Sequence, residues 1–493
     1  MVSPALFVVL ALGLPAQPAS ADPGLTTTFL HDDARDGYFA NETAINPTTA
    51  PNLELQWDKP PGYPGGSTQP IDAGGVLYWS DWDGLLHATS ESTHADLWTY
   101  ELGSTFSSCE NQNQGPDSTP TVTTVNGVST VFLGGGTGQF LALNAATGAL
   151  LWQDQLATSS AGFVWSSPLL DNGSIYIGVA SIADCPLVPG ELFRLDAATG
   201  TTQATFVAVP SGCTGATIWS SPTIDDSTGQ LFIDTGNGDG TCPEPEPYQE
   251  AMIRLDPVTL AVQDSWQTQP NSNAGDTDFG ATPTLFTATI GGQSVPMVGA
   301  MNKNGYYYAF RRADLAAGPV WTQYFAKPGD ACVACDETFV ASSAWDGTHL
   351  YVGGDAGQVN GQACAGSLTA LDPDNGSDVW EDCLGARVLG SVTAEPGIVE
   401  VNAGNQAMVV NASSGQPLFT YTDPSGNFFW GPAQISNGVM YVINLDGNVF
   451  AFVPGPPVGT PEAPLAILFP VAGIAATGGA VVRLRRGQRR LPA

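Results

Sequence analysis

The sequence predicts an all-β fold: an eight-bladed β-propeller of four-stranded antiparallel blades, closed by an N-terminal strand and followed by a C-terminal apolar helix. Three observations carry that expectation. A repeat is entered eight times by a small-polar and proline signature; short β-branched and aromatic runs replace amphipathic helices; and a lone strand pattern precedes the first repeat.

The entries are STQPI at Ser67, STPTV at Ser118, WSSPLL at Trp165, WSSPTI at Trp219, ATPTLF at Ala281, ASSAW at Ala341, SVTAEP at Ser391 and GPAQI at Gly431. Each leads into a hydrophobic strand such as VLYW, TVFLG, IYIGV or LFIDT. A third strand ends in a turn such as LNAATG, LDAATG or LDPDNG, and a fourth carries an aromatic: Trp98, Trp152, Trp266, Trp321, Trp380 or Phe419. Four strands per unit at this period mean one propeller blade each, and packing between neighbouring blades accounts for the regular aromatics. The last unit stops after its third strand, Val449 to Val453, while Leu53 to Trp57 reads as a fourth strand without a blade. Joining the two closes the ring and removes the free edge.

Composition agrees. The 58 glycines and 38 prolines mark dense turns, 43% hydrophobic residues suffice for a core, and only 12% are charged. The formal charge is -33, although five arginines lie within the last eleven residues, so the body is more acidic still. Such a surface repels phosphate backbones and argues against a nucleic-acid partner.

Residues 1–21 end in Ala19-Ser20-Ala21 after a short apolar run and read as a signal peptide. Residues 22–455 form the propeller and 456–463 a Pro-rich linker. Residues 464–482 are a C-terminal transmembrane or sorting segment, and 483–493 a basic tail that would stay cytoplasmic. Export follows, with the domain on the outer side of the membrane or at the cell surface as a monomer. In that compartment the eight cysteines become disulfide candidates. Strand alternation places Cys185, Cys242 and Cys364 in second-to-third-strand loops and Cys109, Cys213, Cys332, Cys335 and Cys383 in blade-to-blade loops. Both loop classes lie on one face of the disc.

The same face receives Trp219, Asn237, Asp276, Asp278 and Lys303. An aromatic plane, an amide, two carboxylates and an ammonium are what a flat anionic cofactor with a hard cation requires. Asn and Asp in Gly-rich turns also have a purely conformational use. Cys332 and Cys335 precede Asp336 rather than His, which argues against covalent haem, and GGGTG at Gly134 lacks the residues of a phosphate loop.

These motifs resemble the pyrroloquinoline quinone (PQQ) type of propeller, and the stretch 216–311 is similar to the core of quinoprotein alcohol and polyvinyl alcohol dehydrogenases. The resemblance implies roles. Trp219, in Ile218-Trp219-Ser220-Ser221-Pro222, would stack on PQQ, and Asn237, in Thr235-Gly236-Asn237, would bind calcium. Asp276, in Asp276-Thr277-Asp278-Phe279-Gly280, would be the catalytic base and a metal ligand. Lys303, in Asn302-Lys303-Asn304-Gly305, would contact the cofactor. Asp278 would add a ligand if a lanthanide replaces calcium, or cap its turn. Asp184 is the nearest match to the family's calcium-binding acid, and the family's vicinal cysteine pair is missing, Cys109 standing alone in that loop. The implied activity is oxidation of a small-molecule or polymeric alcohol. The alternative is a non-catalytic surface scaffold that binds a protein partner.

Overall fold

The computed structural model describes residues 27–456 apart from 60–64, 108, 110, 185, 241, 244–245, 269–276 and 327–338. Eight antiparallel blades of four strands follow one another along the chain, and the short strand Gly162–Phe163 adds a fifth to blade 3. Blade 1 is Ile71–Asp72, Val76–Ser80, Leu85–Ser90 and Asp96–Glu101, and blades 2 and 3 lie within 121–155 and 169–207. Blade 4 is Thr223–Asp225, Gln230–Asp234, Ala251–Leu255 and Val262–Gln267. Blade 5 is Thr284–Ile290, Gln293–Met301, Tyr306–Arg311 and Trp321–Tyr324, and blade 6 lies within 344–384. Blade 7 is Thr393–Glu395, Ile398–Ala403, Gln406–Asn411 and Pro417–Thr422; blade 8 is Gln434–Ser436, Val439–Ile443 and Val449–Pro454. The fourth strand of blade 8 is Leu53–Lys59, paired antiparallel from Leu53 opposite Pro454 to Lys59 opposite Val449. The expected closure of the ring is therefore present.

Helix is nearly absent: among the described residues there is one 3₁₀ turn, Ala50–Asn52, and no helix long and apolar enough to cross a membrane. The expected signal peptide, C-terminal apolar helix and basic tail lie outside the described residues. Two hairpins were not legible as strands, Thr105–Ser107 with Gln112–Gln114 and Gly357–Val359 with Gln362–Cys364. Cys383, expected in a loop, lies within the fourth strand of blade 6.

The repeat residues explain how blades lock together. A fourth-strand tryptophan donates its indole N–H to a turn carbonyl of the next blade: Trp98 to Ala145 at 2.9 Å, Trp152 to Ala197 at 3.1 Å, Trp321 to Pro373 at 2.9 Å and Trp380 to Ala412 at 2.8 Å. The ring lies against the glycine that closes that turn, so a Cβ on Gly148, Gly200, Gly376 or Gly415 would come within 2.3–2.6 Å of it. Those glycines also have φ of 68–73°, where side chains are strained. Docking and turn geometry thus demand glycine together.

The blade entries form a second lock at the axis. The backbone N–H of Gln69 donates to the Thr119 hydroxyl, Thr119 to Ser167, Ser167 to Ser221, Ser221 to Thr282, Thr282 to Ser342, and Ser342 to Ser391, at 2.9–3.3 Å. The entries of blades 2 to 7 therefore need a small hydroxyl residue, because a hydroxyl accepts from the neighbouring blade in a space where a longer side chain would fill the channel. Blade 8 presents Pro432 at the corresponding place, and blade 1 Gln69, whose side chain instead donates to the Ala433 carbonyl at 2.7 Å.

Residues 27–39 run along the inner strands of several blades. Thr27 pairs with Val122, Ile224 and Leu285 donate to the carbonyls of Asp33 and Ala34, and Trp345 and Ala394 to those of Asp36 and Gly37. Arg35 is fully buried. Its guanidinium donates to the carbonyls of Phe29, Pro168 and Pro222 and to the Thr28 hydroxyl. Burial lowers its pKa to about 10, against the opposing pull of Asp33 and Asp32, so it stays charged at neutral pH.

Candidate functional site

A cavity of about 320 Å³ lies on the axis, within the range of small-molecule sites. Its wall is the hydroxyl ring, with Ser167, Ser221, Thr282, Ser342 and Ser391 among its members, and four indoles reach it: Trp82, Trp165, Trp219 and Trp430. The Trp82 N–H donates to Asp117 at 2.9 Å and that of Trp165 to the Ser181 carbonyl at 2.8 Å. Satisfying the N–H leaves the apolar ring available for contact with a flat ligand.

Blades 3 to 5 bring most of the expected residues to one side of this cavity. Trp219 enters blade 4, Asn237 follows its second strand, Asp278 lies between blades 4 and 5, and Lys303 follows the second strand of blade 5. Asp278 joins them. Its Oδ2 accepts from Trp219 Nε1 at 3.0 Å and lies 3.6 Å from Lys303 Nζ, while its Oδ1 accepts from the Asn237 backbone N–H. Asp278 and Lys303 are both buried, at 4% and 6% exposure, and the ammonium stands 5.0 Å from the Trp219 ring centroid, within cation–π range.

Two motif glycines are dictated by this packing. A Cβ on Gly236 would lie 2.8 Å from the Asp278 carboxylate, and one on Gly280 would lie 2.1 Å from Trp219. Beneath them Asp234 is fully buried, receives the Ser220 hydroxyl and leaves Oδ2 without a partner. Burial holds its carboxyl well above the usual range, and the Asp278 charge pushes the same way against the Ser220 hydrogen bond.

Asp184, the remaining expected ligand, comes from blade 3 and accepts from Asn237 Nδ2 at 3.3 Å. That contact turns the amide so that Asn237 Oδ1 is buried without a hydrogen-bond partner. A buried carbonyl oxygen beside a carboxylate is a donor pair suited to a hard cation. Among the described residues no three His, Cys, Asp or Glu side chains group as a metal site. Asp276 lies outside the described residues. The residues flanking that segment, Thr268 and Thr277, both donate their hydroxyls to the Glu250 carboxylate, which holds the two ends of the loop.

Disulfides pin the same face. Cys213 pairs with Cys242 and Cys364 with Cys383; Cys109 is also disulfide-bonded, and Cys185, Cys332 and Cys335 lie outside the described residues. Sequence reasoning missed Trp82, Trp430 and Asp117 as cavity residues. The available signal was a tryptophan outside the fourth-strand position, in Trp82-Asp83-Gly84 and Phe429-Trp430-Gly431.

The family model described as outer membrane protein assembly factor BamB (PQQ_2) matches residues 43–242 and 364–454, more than half of the chain. A quinohemoprotein alcohol dehydrogenase of Comamonas testosteroni is 23% identical over 313 residues, 55% of this chain and 42% of that protein. A polyvinylalcohol dehydrogenase of Sphingopyxis sp. (strain 113P3) is 24% identical over 332 residues, 58% of this chain and 48% of that protein. The chain thus spans about half the length of these relatives. Among solved structures, the Comamonas enzyme superposes with a TM-score of 0.71 at 18% identity, covering 88% of this chain and 81% of that one. A europium-containing methanol dehydrogenase gives 0.68 at 16%, covering 88% and 98%, and BamB from Moraxella catarrhalis gives 0.56 at 14%, covering 81% and 99%. At these identities the superpositions establish a common fold, and with the matched family model they lead to one conclusion: the chain belongs to the PQQ-type β-propeller repeat family.

Proposed function

We propose that this propeller is an exported quinoprotein-type dehydrogenase that takes PQQ and a calcium-like metal in its axial cavity and oxidises an alcohol. The observation that carries the reading is the buried, unpartnered Oδ1 of Asn237 beside Asp184, at the edge of a cavity that also holds Trp219 and Lys303. When bound, a quinone with a divalent or trivalent metal supplies a polarised two-electron acceptor.

The chain's own residues would do the rest. Trp219 provides a stacking plane, Lys303 a cation for an anionic oxygen, and Asn237 and Asp184 oxygens for the metal. Asp276 is the residue assigned to accept the alcohol's hydroxyl proton and to lie next to the metal. Asp278 orients Trp219 and Lys303, and supplies a further oxygen for a lanthanide. Disulfides on the cavity face support an oxidising location. Residues 1–21 as a signal peptide and 464–482 as an anchor or sorting segment complete the proposal of a monomer held outside the membrane.

A second reading, a non-catalytic surface scaffold with a protein partner, draws on the family model's description as an assembly factor and on the internal occupation of Trp219 and Lys303 by Asp278. Titration of the full chain with PQQ, first with calcium and then with a lanthanide, separates the two. Saturable quenching of tryptophan fluorescence is expected, with binding about five- to tenfold weaker in Trp219→Ala, the ratio that loss of a stacking contact of about 1–1.4 kcal/mol produces. Absence of binding with either metal leaves the scaffold reading.

A further inference from the structure

Blade 7 holds an acidic arrangement that the axial cavity does not use. In its first hairpin Thr393 lies opposite Glu400 and Glu395 opposite Ile398. Side chains alternate along a strand, so Thr393, Glu395, Ile398 and Glu400 share one face. That face looks towards blade 8, since Ile398 and Val409 cluster with Ile435, Met440, Phe39 and Ile45, whereas Ala394 and Val399 pack with blade 6.

The polar members of this face are sealed. Thr393 is 0%, Glu395 1% and Glu400 2% exposed. None of the four carboxylate oxygens has a hydrogen bond of good geometry, and the Thr393 hydroxyl lies close enough to Glu400 to favour its charged form without satisfying it. No ion pair found among the described residues reaches either glutamate. Two carboxylates in an apolar cluster cost several kcal/mol each unless something neutralises them. Glu42, which lies nearby, adds to the negative field, while its own oxygens accept from the backbone N–H groups of Asn437 and Gly438.

Five buried oxygens on one face, four of them from carboxylates without a good hydrogen bond, form the donor set of a hard cation, and calcium tolerates the irregular geometry that a strand pair offers. We propose that Glu395, Glu400 and Thr393 form a structural cation site of the calcium type between blades 7 and 8, separate from the axial cavity. A bound cation would neutralise the pair at the joint beside the closing blade, where the N-terminal segment also packs. The competing occupant is a proton shared between the two carboxyl groups.

The test uses the full chain, stripped with a chelator and studied without quinone. Calcium content by elemental analysis after equilibrium dialysis is expected to be one equivalent higher in the wild type than in Glu395→Gln/Glu400→Gln. Addition of 1 mM calcium should raise the wild-type Tm by about 2–5 °C and leave that of the variant unchanged. Should the glutamine variant not fold, Asp184→Ala/Asn237→Ala, altered only at the cavity, is expected to retain both the equivalent and the Tm shift. Equal calcium content in wild type and glutamine variant overturns the site, as does loss of the Tm shift in the cavity variant. A wild-type Tm that ignores calcium and rises as pH falls from 7 to 5 assigns the pair to a proton instead.

Discussion

Asp278→Asn probes how the cavity wall is held. The carboxylate receives the Trp219 indole N–H and the Asn237 backbone N–H and faces the Lys303 ammonium at 3.6 Å, with side-chain exposures of 5% for Asp278 and 7% for Lys303. Asparagine keeps the volume but presents one acceptor and one donor group, so whichever way it turns an N–H of the wall meets an NH₂. It also removes the carboxylate from a buried ammonium, and breaking such a pair from one side costs about 3–5 kcal/mol. Unfolding entropy for a body of roughly 430 residues is about 0.9 kcal/mol/K, so the Tm should fall by about 3–5 °C. Differential scanning calorimetry measures it. Asp278→Ala/Lys303→Met removes both charges and should recover part of the loss, because the ammonium that faced the lost carboxylate is gone as well. An Asp278→Asn protein that melts with the wild type, or a double variant less stable than the sum of its singles, would refute the assignment of Asp278 as the hub of the wall.

Other perturbations reach the frame. Deleting residues 22–58 removes the fourth strand of blade 8 and the Arg35 contacts, exposing the Val449–Pro454 edge; a lower melting transition and light-scattering aggregates are expected, and an unchanged transition would exclude the closure. Arg35→Met alone leaves the carbonyls of Pro168 and Pro222 without this donor and should cost about 3 kcal/mol in denaturant titration. His87 stacks on Trp79 at 4.0 Å and bonds Asp81 at 3.0 Å and Asp96 at 3.4 Å. Burial lowers its pKa, but the two carboxylates outweigh burial and the net shift is upward. Its charged form therefore adds stability that is complete below the unfolded value of about 6.5 and disappears as pH rises through the higher folded value. The Tm gap between wild type and His87→Gln should be wider at pH 5.5 than at pH 9, and a constant gap would contradict this.

The sequence by itself determined the blade count, the closing strand and the positions that lock blades together. Each rests on a short motif repeated in register: a hydroxyl and proline at the entry, a glycine closing the third-strand turn, a tryptophan in the fourth strand. Repetition makes such local signals mutually confirming, and strand alternation then assigns loops to faces without coordinates. It also placed Trp219, Asn237, Asp278 and Lys303 on one face, since all four follow strand ends whose direction the meander sets. Tertiary structure alone decided which atoms meet. That Asp278 holds Trp219, Asn237 and Lys303 depends on contacts across 59, 41 and 25 positions. The link between Asp184 and Asn237 spans 53. Arg35 reaches Pro168 and Pro222 across 133 and 187 positions, from a segment outside the repeat. Glu395 and Glu400 carried no motif at all: in the sequence they are two polar residues at the ends of a hairpin, and only the packing of blade 8 over that hairpin takes their oxygens away from water. Period and turn chemistry are encoded locally, whereas burial and charge pairing come from how distant blades close on one another.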